Sequence, residues 1–297
     1  MNEFLPEALQ PASGPCTHAQ LREALQTGRV LCAPAVLCDE QHRLHVDLGC
    51  RMGLIEREQA AAGVASGQTR DLAILSCTGK NVCFCVKRLP PDGPAVLSRL
   101  AAQQKALRFL FEEKTPGDIL PAVVRSNSAF GAFCDVGCGV PALMRLQSIC
   151  LSRLRHSAER FAPGQKIYAV LFSMDRRSGR IALSQRELLG SFAENAARFR
   201  PGQTVPGVVR ACEDYGVFVE LSPNLTGLAE ADASLHPGDG VSVYIRAIQP
   251  QTLKVKLSVI GRLAAPPRFA LQYTKTEGHI DSWLYGNPAH AKVLSIF

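Results

Sequence analysis

Residues 211–230 read ACEDYGVFVELSPNLTGLAE, and residues 126–145 read SNSAFGAFCDVGCGVPALMR. Each stretch sets an aromatic–glycine pair and a second ring, Tyr215-Gly216-x-Phe218 and Phe130-Gly131-x-Phe133, within a run of strand-like residues. Alternation of apolar and polar residues is the pattern of a half-buried strand. In the first stretch Val217, Val219 and Leu221 share one face, and Phe218 and Glu220 share the other. Rings beside a glycine on such a strand either cover a small core or form a surface for something flat.

The two stretches belong to one repeat. Pro116-Gly117 recurs as Pro201-Gly202, Val123-Val124-Arg125 as Val208-Val209-Arg210, and Leu143 as Leu228. Each pair is 85 positions apart with no gap, the signature of a duplicated unit. Pro163-Gly164 and Pro237-Gly238 then open matching second halves, QKIYAVLFSMDRRSGRIALS and DGVSVYIRAIQPQTLKVKLS. Each half holds two alternating runs around a turn. About five short strands per unit suit a small closed barrel, which leaves no sheet edge exposed. Residues 28–88 read as a decayed third copy, with LHVDLGCRMGLIERE in place of FVELSPNLTGLAEAD and two strand-like runs around Thr78-Gly79. There the aromatic–glycine pair is missing, and the segment offers His42 and His45.

Helices should separate the units. Leu188, Leu189, Phe192, Ala196 and Phe199 recur at helical spacing between Ser184 and Gly202. Leu97, Leu100, Ala101, Leu107, Leu110 and Phe111 do so before Pro116-Gly117. The domain reading is an N-terminal segment 1–27, a degenerate unit 28–90, a helical linker 91–115, a unit 116–186, a helical linker 187–200, a unit 201–262 and a C-terminal extension 263–297. The extension carries the one tryptophan, Trp283, with Tyr273 and Tyr285, and reads as a hairpin packed on the last barrel or as a docking tail.

The 297 residues are 46% apolar and 20% charged, a composition for packed domains. No apolar run reaches the roughly 18–20 residues of a membrane helix. The start, MNEFLPEALQPASGP, does not read as a signal peptide, so the cytoplasm is expected. Eleven cysteines without paired ligand spacing read as small buried apolar residues in a reducing compartment. Neither a metal nor another cofactor is expected, and no phosphate loop, nucleophile elbow or carboxylate pair suggests an enzyme. The net charge is +7, and residues 116–200 hold twelve Lys/Arg against six Asp/Glu. So concentrated an excess suggests a polyanionic partner.

Proline–glycine followed by VVR, YGVFVEL, GLAE, VSVYIRAI and KVKLS resembles the S1 RNA-binding domain. The resemblance covers 116–186 and 201–260 well and 28–88 weakly, and the helically joined tandem is similar to bacterial ribosomal S1 proteins. It implies a mainly β chain of tandem five-stranded OB-fold barrels that bind single-stranded RNA without catalysis. It also implies mRNA and the small ribosomal subunit as partners, with RNA decay, transcription or a protein scaffold as alternative roles. Phe130 and Phe133, and Tyr215 and Phe218, match the stacking positions. Arg145 and Glu230 stand where the family often has a histidine. Arg180, Lys254 and Lys256 match the basic positions of the last strand, and Arg176 and Arg177 precede that strand in the first good unit. Arg153, Arg155, Arg160 and His156 lie in a loop that could add phosphate contacts. A glycine beside the rings would let backbone and base approach closely. A monomer with flexible joints is expected, because short-linked repeats bury little shared surface.

Overall fold

The computed structural model describes residues 4–10, 15–286 and 293–297. Helix α1 (His18–Thr27) leads into a first barrel of β1 (Val30–Cys38), β2 (Leu44–Asp47), β3 (Met52–Ile55), β4 (Lys80–Arg88) and β5 (Ala95–Ser98), with short helices α2 (Arg57–Ala60) and α3 (Leu72–Leu75) after β3. Helix α4 (Arg99–Glu113) connects it to the second barrel. That barrel comprises β6 (Ile119–Ser128), β7 (Gly131–Asp135), β8 (Pro141–Arg145), β9 (Lys166–Asp175) and β10 (Arg180–Ser184), with helix α5 (Leu146–Ile149) after β8. Helix α6 (Phe192–Ala196) precedes the third barrel, formed by β11 (Thr204–Glu213), β12 (Gly216–Ser222), β13 (Leu225–Ala229), β14 (Gly240–Gln249) and β15 (Lys254–Arg262). A hairpin of β16 (Ser282–Leu284) and β17 (Leu294–Ile296) closes the described chain. Among the described residues no helix is long and apolar enough to cross a membrane.

All three barrels close in the same way. The first three strands form an antiparallel meander, the fifth lies parallel to the third, and the fourth completes the ring against the first and the fifth. This is the tandem OB-type architecture that the repeat predicts. In the third barrel the inward residues are the expected alternating set: Val217, Val219 and Leu221 meet Val243, Ile245, Val255 and Leu257.

Three local readings differ from expectation. Leu72–Leu75 is a helical turn rather than a strand, and the fifth strand of the first barrel is Ala95–Ser98, so this barrel reaches beyond residue 90. Leu97 accordingly belongs to a strand. The helix then buries a stripe of Ala102, Ala106 and Leu110, whose small side chains let it approach the outer face of β4. That strand is covered on both faces, which is why it reads VCFCV without alternation: Val82, Phe84 and Val86 fill the barrel, while Cys83 and Cys85 face α4 and the second barrel. The linker expected as one helix from Ser184 to Gly202 is broken. A 3-10 turn (Arg186–Leu189) ends at Gly190, whose φ of +83° suits glycine, and Ser191 with Glu194 forms a capping box that starts α6 afresh.

The joints are filled rather than open. At the first, Glu7 is buried and accepts from Arg99 through both oxygens (2.6 and 2.8 Å), from Arg125 (3.2 Å) and from the Cys83 amide (3.1 Å). Its own amide donates to Asp135. Burial alone would raise Glu7, but the two guanidiniums outweigh it and hold its carboxyl below the usual value. Burial and the Glu7 charge push Asp135 up to about 6. At the second joint, Glu220 is fully buried and pairs with Arg160 and Arg210, and Arg210 also reaches Glu159. Arg125 and Arg210 occupy equivalent repeat positions, as do Asp135 and Glu220.

The C-terminal extension packs on the second barrel and the second joint and also touches the last barrel, where Tyr285 packs against the core cluster and donates to the Asn224 carbonyl, and Ala265 and Pro266 abut Gly240. Ile119 and Ile280 amides donate to the Gly278 and Gly117 carbonyls, His279 meets Asp118 at 2.8 Å, and Tyr273 Oη accepts from Gln185 at 2.8 Å. Trp283 and Phe297 cover Ile119, Val170 and Leu188.

Replacing Glu7 with Gln leaves the buried Arg99 uncompensated and should cost about 3–5 kcal/mol. Urea unfolding of the full chain measures it; a loss below about 1 kcal/mol would show that the first joint does not depend on this charge.

Candidate nucleic-acid interface

On the second barrel the rings of Phe130 and Phe133 meet edge to face, with centroids 5.8 Å apart. Phe130 is 58% exposed. Strand register builds a row outward from them: Phe133 lies opposite Leu143, and Leu143 lies beside Ala182. Arg145 faces Gly131 across the β7–β8 ladder, and Arg180 precedes Ala182 by two residues on the same strand face, both exposed. The glycine has a strand-to-strand purpose rather than the expected strand-to-base one. A Cβ at Gly131 would overlap the Met144 carbonyl, and one at Gly216 would overlap that of Ala229. Only glycine admits so close an approach at the start of the second strand.

The third barrel repeats the arrangement. Tyr215, 70% exposed, and Phe218 meet edge to face at 6.1 Å. Phe218 lies opposite Leu228, which lies beside Lys256, and Lys254 shares that face. Glu230 is exposed, but Arg246 pairs with it at 3.1 Å, so its charge is compensated. The 85-residue offset does not reveal these last contacts. The second halves of the units align at an offset of 74, which sets Ala182 against Lys256 and Phe172 against Arg246. Each barrel therefore has basic side chains beside its rings: Arg180 and Lys254 at equivalent places, with Arg145 added on one barrel and Lys256 on the other.

The first barrel is different. Its register places His45 where Phe218 stands, opposite Leu54. Asp39 accepts from the Arg43 amide, the Arg43 guanidinium and His45, at 2.8–3.0 Å. These donors, the Arg43 amide foremost, hold the Asp39 carboxyl well below the usual range. His42 lies 3.3 Å from Asp71, which also pairs with Arg57. The polar groups that replace the rings thus satisfy one another.

The other basic candidates point elsewhere. Arg176 lies over the Phe111 ring and donates to the Phe111 carbonyl, which directs it to α4. Arg177, in the same turn, is exposed. Arg160 is buried in the second joint, and Arg153 meets Glu213 at 3.6 Å.

No protein-family model matches the chain. Small ribosomal subunit protein bS1 of Leuconostoc lactis is 29% identical over 195 residues, covering 60% of this chain and 45% of that protein. The Staphylococcus aureus protein of the same name is 27% identical over 227 residues, covering 71% of this chain and 58% of that protein. The chain is similar to these S1-domain proteins and, like the repeat in its sequence, is built as a tandem of barrels. It spans about half the length of these curated relatives. A multidomain protein with nucleic acid binding domains from Streptococcus pneumoniae aligns over 77% of this chain and 72% of its own, at 15% identity and a TM-score of 0.24. In this S1-like chain two barrels carry the exposed ring pair, and the first carries the Asp39 network in its place.

Gly216→Ala should destabilise the third barrel by about 1–3 kcal/mol, through overlap with the Ala229 carbonyl and strain at φ +156°. Thermal unfolding checks it, and an unchanged midpoint would show that the strands can part without cost.

Proposed function

We propose that the chain binds single-stranded RNA through two ring platforms, Phe130 with Phe133 and Tyr215 with Phe218. The observation that carries this is the repetition of one exposed edge-to-face pair, with cations beside it, at equivalent places on two barrels. Every base has a flat face, so outward rings accept any sequence, and stacking contributes about 1–3 kcal/mol per base. Arg145 and Arg180 on one barrel, and Lys254 and Lys256 on the other, then contact phosphates. Arg176 and Arg177 sit at the margin, in a turn packed on α4. The first barrel serves structure rather than stacking, since Asp39 engages the groups that stand in for the rings.

The names of the similar proteins favour a role in translation, with mRNA held at the small ribosomal subunit in the cytoplasm and no catalytic step. The protein acts as a monomer in this reading.

Two measurements test it. Phe130→Ala combined with Phe133→Ala should weaken binding of a fluorescent unstructured RNA of about 12–20 nucleotides by roughly tenfold or more, from lost stacking. Unchanged affinity in a folded double variant would remove these rings from the contact. Arg145→Ala combined with Arg180→Ala should lower the slope of log affinity against log salt by about 1.4, two phosphate contacts at about 0.7 each. An unaltered slope would place the phosphates elsewhere.

A further inference from the structure

The cleft between the second and third barrels carries more positive charge than the joint beneath it uses. Its volume is about 650 Å³. Arg153 and Arg155, from the segment after α5, form one wall, and Pro266, Pro267, Arg268 and Phe269, from the C-terminal extension, form another. Arg160 and Arg210 line it from below, each engaged with Glu220. Glu159, the carboxylate that lines the cleft, is itself taken by Arg210 and by the Arg155 and His156 amides. Arg155 and Arg268 are exposed and form no ion pair among the described residues, and Arg160 Nε has no hydrogen-bond partner. None of the ring-platform residues lines this cleft.

Two free guanidiniums at the mouth of a concave site attract an anion, and their planar donor forks match phosphate oxygens. The proline pair and the half-buried Phe269 add a flat apolar wall beside them. The volume falls within the roughly 300–1,000 Å³ usual for small-molecule sites. A ligand with a phosphate and a planar ring satisfies both walls, whereas inorganic phosphate satisfies one.

We infer that this cleft binds a nucleoside phosphate, with Arg155 and Arg268 on the phosphate and Phe269 against the base. The inference does not rest on the ring platforms. The nucleoside phosphate has two sources, a free nucleotide or one residue of an RNA strand passing between the barrels.

Calorimetric titration with adenosine 5′-monophosphate, with inorganic phosphate and with the RNA used above separates them. The full-length Arg155→Ala/Arg268→Ala variant replaces two exposed side chains, and a thermal melt confirms its fold. If the source is a free nucleotide, this variant loses roughly tenfold or more in affinity for the monophosphate, as expected when hydrogen bonds to a charged group are removed. The Phe130→Ala/Phe133→Ala variant binds it as the parent does, and the parent prefers it to inorganic phosphate. If the source is the strand, the arginine variant instead weakens RNA binding and lowers its salt slope by about 1.4. Parent-like affinity of the arginine variant for both the monophosphate and the RNA would overturn the proposal, whatever the phenylalanine variant does.

Discussion

Each joint in this chain depends on a buried glutamate held by two arginines. Glu7 takes Arg99 and Arg125, and Glu220 takes Arg160 and Arg210. A second carboxylate adjoins each set: Asp135 accepts from the Glu7 amide at the first joint, and Glu159 pairs with Arg210 at the second. A buried ion pair contributes little net stability when intact, because desolvation consumes most of the attraction, but losing one partner is costly. What such a set supplies is geometry, since it tolerates one arrangement of neighbouring barrels. Asn224 adds to the second joint by donating to the Arg186 and Gly190 carbonyls.

The repeat contains its own joint. Arg125 and Arg210 end the same Val-Val-Arg segment, and Asp135 and Glu220 sit opposite on the next strand. The first barrel has Val36 and Asp47 at these positions, neither of them buried. The ring platforms use the following part of the same two strands, so one β-hairpin per barrel both anchors the unit and presents its rings. The glycine between these tasks keeps the strands close enough for both. That economy explains why the aromatic–glycine pair and the Val-Val-Arg segment recur in one fixed register.

Much of this was legible in the sequence because barrel interiors alternate and the repeat has no gap across its first half. The ring pairs were visible for the same reason. The joints were not, because a buried arginine and an exposed one look alike in sequence: Arg160 reads as a loop residue for phosphate, and Arg125 and Arg210 as marks of the repeat, yet all three turn to the joints. The broken linker was readable from Gly190-Ser191 and the Ser191–Glu194 spacing, but the helical periodicity of Leu188, Phe192 and Phe199 masked it. The fifth strand of the first barrel was hidden in the apolar stripe of the helix that follows. The compensation of Glu230 by Arg246 required the 74-residue alignment of the second halves, since it joins residues on two different strands.

The most direct test of the account is ultraviolet crosslinking of single-stranded RNA to the full chain, followed by mapping of the modified peptides. Aromatic rings stacked on bases crosslink where they touch. The account predicts adducts at Phe130 or Phe133 and at Tyr215 or Phe218, with none at His42 or His45. Adducts confined to the first barrel, or none on either ring pair with RNA bound, would contradict it.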